Sequence, residues 1–144
     1  MRALPWLVTA LLLGTPDVQA ANWFELEALG AGSGLDIEVD TDSLHQAGTR
    51  RTITVRMSYP EPRLHASGNP FRSVVVTVDV DCEGQLAGYR DATFHAEAKG
   101  QGPVTGREPG RLAPGTDAAG VLLPAKSAES LIRAACARPT PAVP

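Results

Sequence analysis

Apolar residues in this chain fall mostly on every second position, which predicts a sheet rather than a helical bundle. Phe24, Leu26 and Ala28 share one parity, and after the turn-forming "GAGSG" the residues Leu35, Ile37 and Val39 oppose Asp36, Glu38 and Asp40. In "RTITVRMSYP", Ile53, Val55, Met57 and Tyr59 alternate with Thr52, Thr54, Arg56 and Ser58. A sheet with one wet face requires such alternation. Val74, Val76, Val78, Val80 and Cys82 then share a core parity against Ser73, Thr77, Asp79 and Asp81, with Val75 as the one exception. "CEGQL" reads as a tight turn into a strand carrying Leu86, Ala92, Phe94 and Ala96, so the two form an antiparallel hairpin.

The pattern breaks in "KGQGPVTGREPGRLAPGTDAAG", residues 99–120, where Gly and Pro leave no room for a regular element of useful length. This reads as a flexible loop. The period then becomes helical: Ala128, Leu131, Ile132, Ala135 and Cys136 follow i, i+3, i+4, i+7, i+8, with Ser127 as a cap and Glu129 in the first turn. So short a helix is not stable alone and must dock on the core face. Residues 138–144, part of the Pro-rich end, read as a disordered tail. The expected fold is α+β: a small antiparallel sheet of about five to six strands with one C-terminal helix packed on it.

Residues 1–20, "MRALPWLVTALLLGTPDVQA", combine Arg2, an apolar run to Leu13, a break at Pro16 and small residues before a cut after Ala20. That is a secretory signal peptide, too short to be a membrane span of about 18 residues. No cysteine lies near the cut to carry a lipid. Residues 21–137 are then one exported domain, in the periplasm by preference, at the cell surface or secreted otherwise.

Export changes the meaning of the two cysteines. Cys82 on an inward strand parity and Cys136 on the helix stripe meet if the helix crosses the sheet, and an oxidising compartment favours a bridge. Closing such a loop stabilises by about 4 kcal/mol in the chain-entropy treatment. A redox or metal pair would want CxxC spacing or a nearby His, and neither is present.

The formal net charge of -3 carries no dense basic block, which argues against nucleic acid. His45, His65 and His95 lie in or beside expected loops or on the wet parity, without the spacing of a metal site. Asp36, Glu38, Asp40 and Asp42 alternate as the solvated face of a strand does, and lack the glycine and distal glutamate of a calcium loop. The glycine-rich stretches lack the GK[ST] of a phosphate loop, there is no GxSxG, and no local motif pairs a serine with a histidine and an acid. No catalytic residue, cofactor or metal is therefore assigned. Arg56, Arg72 and Arg90, on or near the wet parity, are the candidate ligand-binding residues.

"NWFEL", "IEVDTDSL", "TITVRMSY", "NPFRSVVVTVDVDC" and "LIRAAC" occur in this order. Taken together they resemble the surface-adhesin protein E-like family of bacterial exported domains. The resemblance implies an antiparallel sheet with a C-terminal helix pinned by Cys82 and Cys136, with Trp23 as a structural position, and its best-known member is a surface adhesin that contacts host proteins. With the export signal, the one-sided sheet and the lack of catalytic motifs, the chain reads as a non-catalytic domain that binds a host or envelope protein. The resemblance transmits no ligand-binding residue, since fold does not carry function. The alternative reading is a periplasmic accessory or structural subunit docking through an unpaired sheet edge. A homodimer remains open under both readings. A hydrolase or redox enzyme would need activity that disappears when a specific His or Cys is replaced.

Overall fold

The computed structural model describes residues 21–26, 34–110 and 125–137. They form six strands, β1 (Trp23–Glu25), β2 (Asp36–Ala47), β3 (Arg50–Leu64), β4 (Pro70–Asp81), β5 (Leu86–His95) and β6 (Val104–Pro109), and one helix, α1 (Ala125–Cys136). The strands make one antiparallel sheet in the order β1-β2-β3-β4-β5-β6. Residues 1–20, expected to be a signal peptide, Ala28 of the first expected strand, residues 111–120 of the expected loop and the expected tail 138–144 lie outside the described residues.

Alternation sets the core. Ile37, Val39, Ile53, Val55, Met57, Val74, Val76, Val78 and Val80 are buried on one face, joined by Phe71, Ala92, Phe94, Leu131 and Ala135. α1 lies against β4 and β5, with Leu131 and Ala135 inward and Ala128, Ile132 and Cys136 packed beside them. Cys82 and Cys136 are bonded, their Cα atoms 5.5 Å apart. The expected α+β fold and its strand-to-helix bridge are both observed. Ser127, expected as the cap, sits instead in the first turn and is buried, because the helix begins two residues earlier at Ala125.

Residues 99–120 depart from the loop reading. Val104–Pro109 pairs with β5, and a single 3₁₀ turn spans Ala98–Gly100. The two prolines sit just before and at the end of β6, an edge strand, where a missing N–H is tolerated. β5 also departs from the simple parity. Thr77 opposes Asp91 while Val78 opposes Tyr89, which leaves Arg90 as the extra residue of a bulge. A one-residue bulge flips the parity on its far side. Ala87 and Tyr89 therefore pack on the core, and Leu86, expected inward, is exposed.

Two wider bulges coincide with sequence punctuation. Residues 41–44 of "DTDSL" face Ile53 alone. Here Asp40 Oδ1 accepts from the Asn22 and Asp42 amides, and Ser43 Oγ accepts from Thr54 N–H at 2.8 Å. Residues 59–62, "YPEP", swing out opposite Arg72, where prolines could not donate to a ladder.

Candidate binding face

The second face of the sheet carries a polar cluster that the β5–β6 connection straps down. Ser58 and Ser73 oppose each other across β3 and β4, and both are buried although they lie on the polar parity. The strap explains this. The Lys99 amide donates to Ser58 Oγ at 2.9 Å, the Gly100 amide donates to Ser73 Oγ at 2.8 Å, and Ser73 Oγ donates to the Glu97 carbonyl. Lys99 and Gly100 both adopt positive φ, 57° and 67°. A Cβ on Gly100 would stand 3.0 Å from Val75 Cγ2. Val75, the one apolar residue alternating among Ser73, Thr77, Asp79 and Asp81, thus lies beneath the strap.

Around this strap four charges interlock. Arg56 Nε meets Glu38 Oε2 at 2.7 Å, and Arg56 Nη1 donates to the Lys99 carbonyl at 3.1 Å. Lys99 Nζ bridges Asp36 at 3.0 Å and Glu38 at 3.2 Å. The Arg56 guanidinium lies over the Trp23 ring, 4.0 Å from its centroid, in cation–π geometry. Glu38 was expected on a solvated face but is buried under these partners. The Arg56 hydrogen bond holds its carboxyl below the ordinary range, assisted by Lys99 and opposed by burial. Lys99 is shifted upward by its hydrogen bonds to Asp36 and Glu38.

The three arginines singled out in the sequence do not converge. Arg56 belongs to the cluster just described. Arg72 Nη2 donates to the Pro60 carbonyl at 3.1 Å, while its Nε is buried without a partner. Arg90, in the β5 bulge, pairs with Asp79 at 2.8 Å. Lys99 and Trp23 complete the site around Arg56. Lys99 escaped the sequence because its neighbours in space come from β2 and β3, and the one local hint was the Gly-rich run around it.

A second polar group forms where the β3–β4 connection folds over the core face. His65 packs on Phe94, with ring centroids 4.6 Å apart, and occupies the space a side chain at Gly106 would fill. Its Nε2 meets Glu108 Oε1 at 2.9 Å and its Nδ1 meets Ser67 Oγ at 2.8 Å. A serine, a histidine and an acid are thus brought together although no local motif announced them. Glu108 carries no signal in the sequence because the Gly- and Pro-rich run around it reads as loop. Phe71 continues the aromatic row, 4.8 Å from Phe94 and 5.7 Å from Tyr59. Burial raises the Tyr59 phenol above its usual range, and the nearby Arg63 partly offsets the shift. Among the described residues, no three His, Cys, Asp or Glu side chains converge as a metal site.

The family model for surface-adhesin protein E matches residues 23–137, from the first residue of β1 to the residue after Cys136. This chain belongs to the surface-adhesin protein E family. The match contains all six strands, α1 and the disulfide. Trp23, which stacks on Arg56, opens it. Among solved structures, crystal form II of Haemophilus influenzae protein E is similar to this surface-adhesin protein E chain at 16% identity and a TM-score of 0.44. The alignment covers 69% of this chain and 79% of that one. No curated protein matches. In this family member, no helix among the described residues is long and apolar enough to cross a membrane.

Proposed function

We propose that this chain is an adhesin-like protein-binding module of the bacterial cell surface or periplasm, and that the strapped polar face is its contact surface. The family supports the class of function, and the signal-peptide pattern of residues 1–20 supports export. The observation that carries the choice of surface is the Trp23–Arg56–Lys99 array. Trp and Arg are the residue types that most often dominate binding energy at protein interfaces, and preorganised side chains lose little freedom on contact. Arg56 is held by Glu38, Lys99 and Trp23, while the Lys99 side chain stays half exposed at the margin. The acidic groups beside it, Asp36 and Glu38, make the surface one of mixed charge, suited to a folded protein rather than to a polyanion.

The test is binding of the full mature chain to immobilised extracellular-matrix and envelope proteins, with Trp23→Ala and Lys99→Ala compared at matched thermal stability. At least one partner should bind above background, and each substitution should weaken it by about tenfold, the loss of roughly 1.4 kcal/mol. No binding by the parent chain would refute the adhesin-like reading. Undiminished binding by both variants would move the contact surface elsewhere.

A further inference from the structure

We infer that Ser67, His65 and Glu108 form a nucleophile–base–acid relay, and that Ser67 accepts acyl groups from activated esters. The activity goes beyond protein binding and sits apart from the Trp23–Lys99 cluster, at the β3–β4 connection and β6. The protonation pattern follows from hydrogen-bond direction. The backbone N–H of Ser67 donates to His65 Nδ1 at 3.2 Å, and a backbone N–H is only ever a donor. Nδ1 therefore presents its lone pair, and the proton of the neutral ring resides on Nε2. That proton is given to Glu108 Oε1 at 2.9 Å. Ser67 Oγ, 2.8 Å from Nδ1, then directs its own proton at the base.

The surroundings hold this geometry. The imidazole is wedged between Phe94 and Gly106, and its side chain is 11% exposed. The turn beneath it is closed by His65 N–H to the Asn69 carbonyl at 2.9 Å and Gly68 N–H to the His65 carbonyl at 2.8 Å. Asn69 Nδ2 anchors the turn to the Thr105 carbonyl of β6 at 3.1 Å. Ser67 itself is exposed, so an acyl donor reaches it without a cleft. An oriented nucleophile, its base and a third group aligning the base are the shared logic of serine acyl transfer on unrelated folds.

The chemistry closes on these groups and water. Ser67 Oγ, which shares the Nδ1 lone pair with the longer 3.2 Å contact from its own backbone N–H, attacks the ester carbonyl carbon while its proton moves to His65 Nδ1; the backbone contact is released in that step, and Glu108 stabilises the imidazolium through Nε2–H. The carbonyl re-forms, the bond to the alcohol oxygen breaks, and Nδ1 returns the proton to that leaving group. Water then attacks the acyl carbon in the same way, releasing the carboxylic acid and restoring the Ser67 hydroxyl. The substrates are esters with good leaving groups, whose departure asks least of oxyanion stabilisation, one oxyanion donor being worth about 10²–10³ in rate.

The experiment uses the full chain with its disulfide intact. A fluorophosphonate probe should add once per molecule, mapped to the Ser67 peptide, and p-nitrophenyl acetate should be hydrolysed at least about tenfold faster than by Ser67→Ala. Ser67→Ala removes an exposed hydroxyl and keeps the fold. Glu108 is a positioning residue: Glu108→Gln retains an acceptor for Nε2–H but loses the charge, so acylation should slow at least about tenfold with KM and melting temperature unchanged. Equal labelling of the parent and Ser67→Ala, or no labelling of the parent, overturns the inference. Labelling at Ser67 that Glu108→Gln leaves undiminished overturns the relay.

Discussion

Cys136, the last residue of α1, is covalently joined to Cys82, the first residue after β4, across 54 positions of sequence. The bond fixes the helix on the end of the sheet where Val80 and Ala135 are buried. Its loss should cost about 4 kcal/mol on the chain-entropy estimate, within the ~2–5 kcal/mol usual for small secreted domains. Chemical denaturation of the Cys82→Ala/Cys136→Ala chain, followed by far-UV circular dichroism, measures it. Helical signal should fall first, because twelve residues do not hold a helix undocked. An unchanged midpoint would show that packing by Leu131 alone suffices.

The Glu38–Arg56–Lys99 cluster should bound stability in pH from both sides. Glu38 has a lowered folded-state pKa, so its contribution is complete above its ordinary value of 4.5 and is lost as pH falls through the lowered value. Lys99 is shifted up, so its contribution is complete below its ordinary 10.5 and is lost as pH rises through the raised value. Melting curves between pH 2 and 12 should show both limbs. Glu38→Gln should flatten the acid one, and Lys99→Met the alkaline one. At neutral pH, Arg56→Ala should cost about 2–3 kcal/mol, since it leaves a buried carboxylate with Lys99 alone.

Ser73 is fully buried, donates to the Glu97 carbonyl and accepts from the Gly100 amide. Ser73→Ala orphans both groups and should destabilise by about 1–3 kcal/mol. Gly100→Ala should act in the same direction, by about 1–3 kcal/mol, because φ is +67° and the new methyl group would press on Val75. Hydrogen exchange offers the local readout: amides of residues 97–101 should lose protection in both variants before the strands do. Retained protection there would mean that the strap does not depend on Ser73.

The Arg90 bulge predicts opposite tolerances at adjacent residues. Ala87 opposes Val80 on the core face, whereas Leu86 is exposed. Ala87→Asp should therefore cost about 2 kcal/mol or more, and Leu86→Ser no more than about 0.5 kcal/mol. Urea midpoints of the two variants decide it. The reverse order would place the bulge elsewhere in β5.

Local pattern alone determined the frame of this protein. Two-residue alternation in β2, β3 and β4 assigns Ile37, Val55 and Val76 to one face whatever the rest of the chain does, because a strand has no other periodicity. The 3.6-residue spacing from Ala128 to Cys136, with an exported context, sufficed to pair Cys136 with Cys82. Tertiary structure decided what local spacing does not encode. Arg90 flips the parity of half of β5, and a bulge of one residue leaves no mark in an apolar pattern. Residues 104–109 become a strand only because β5 offers unpaired backbone groups, overriding the Gly and Pro content that reads as loop. The strap turns Ser58, Ser73 and Glu38 from surface positions into buried ones, and its contacts join residues about 24 to 63 apart. His65 and Glu108 meet across 43 positions for the same reason: the hydrogen bond between them depends on how the β3–β4 connection curls over the sheet, a relation with no local signature.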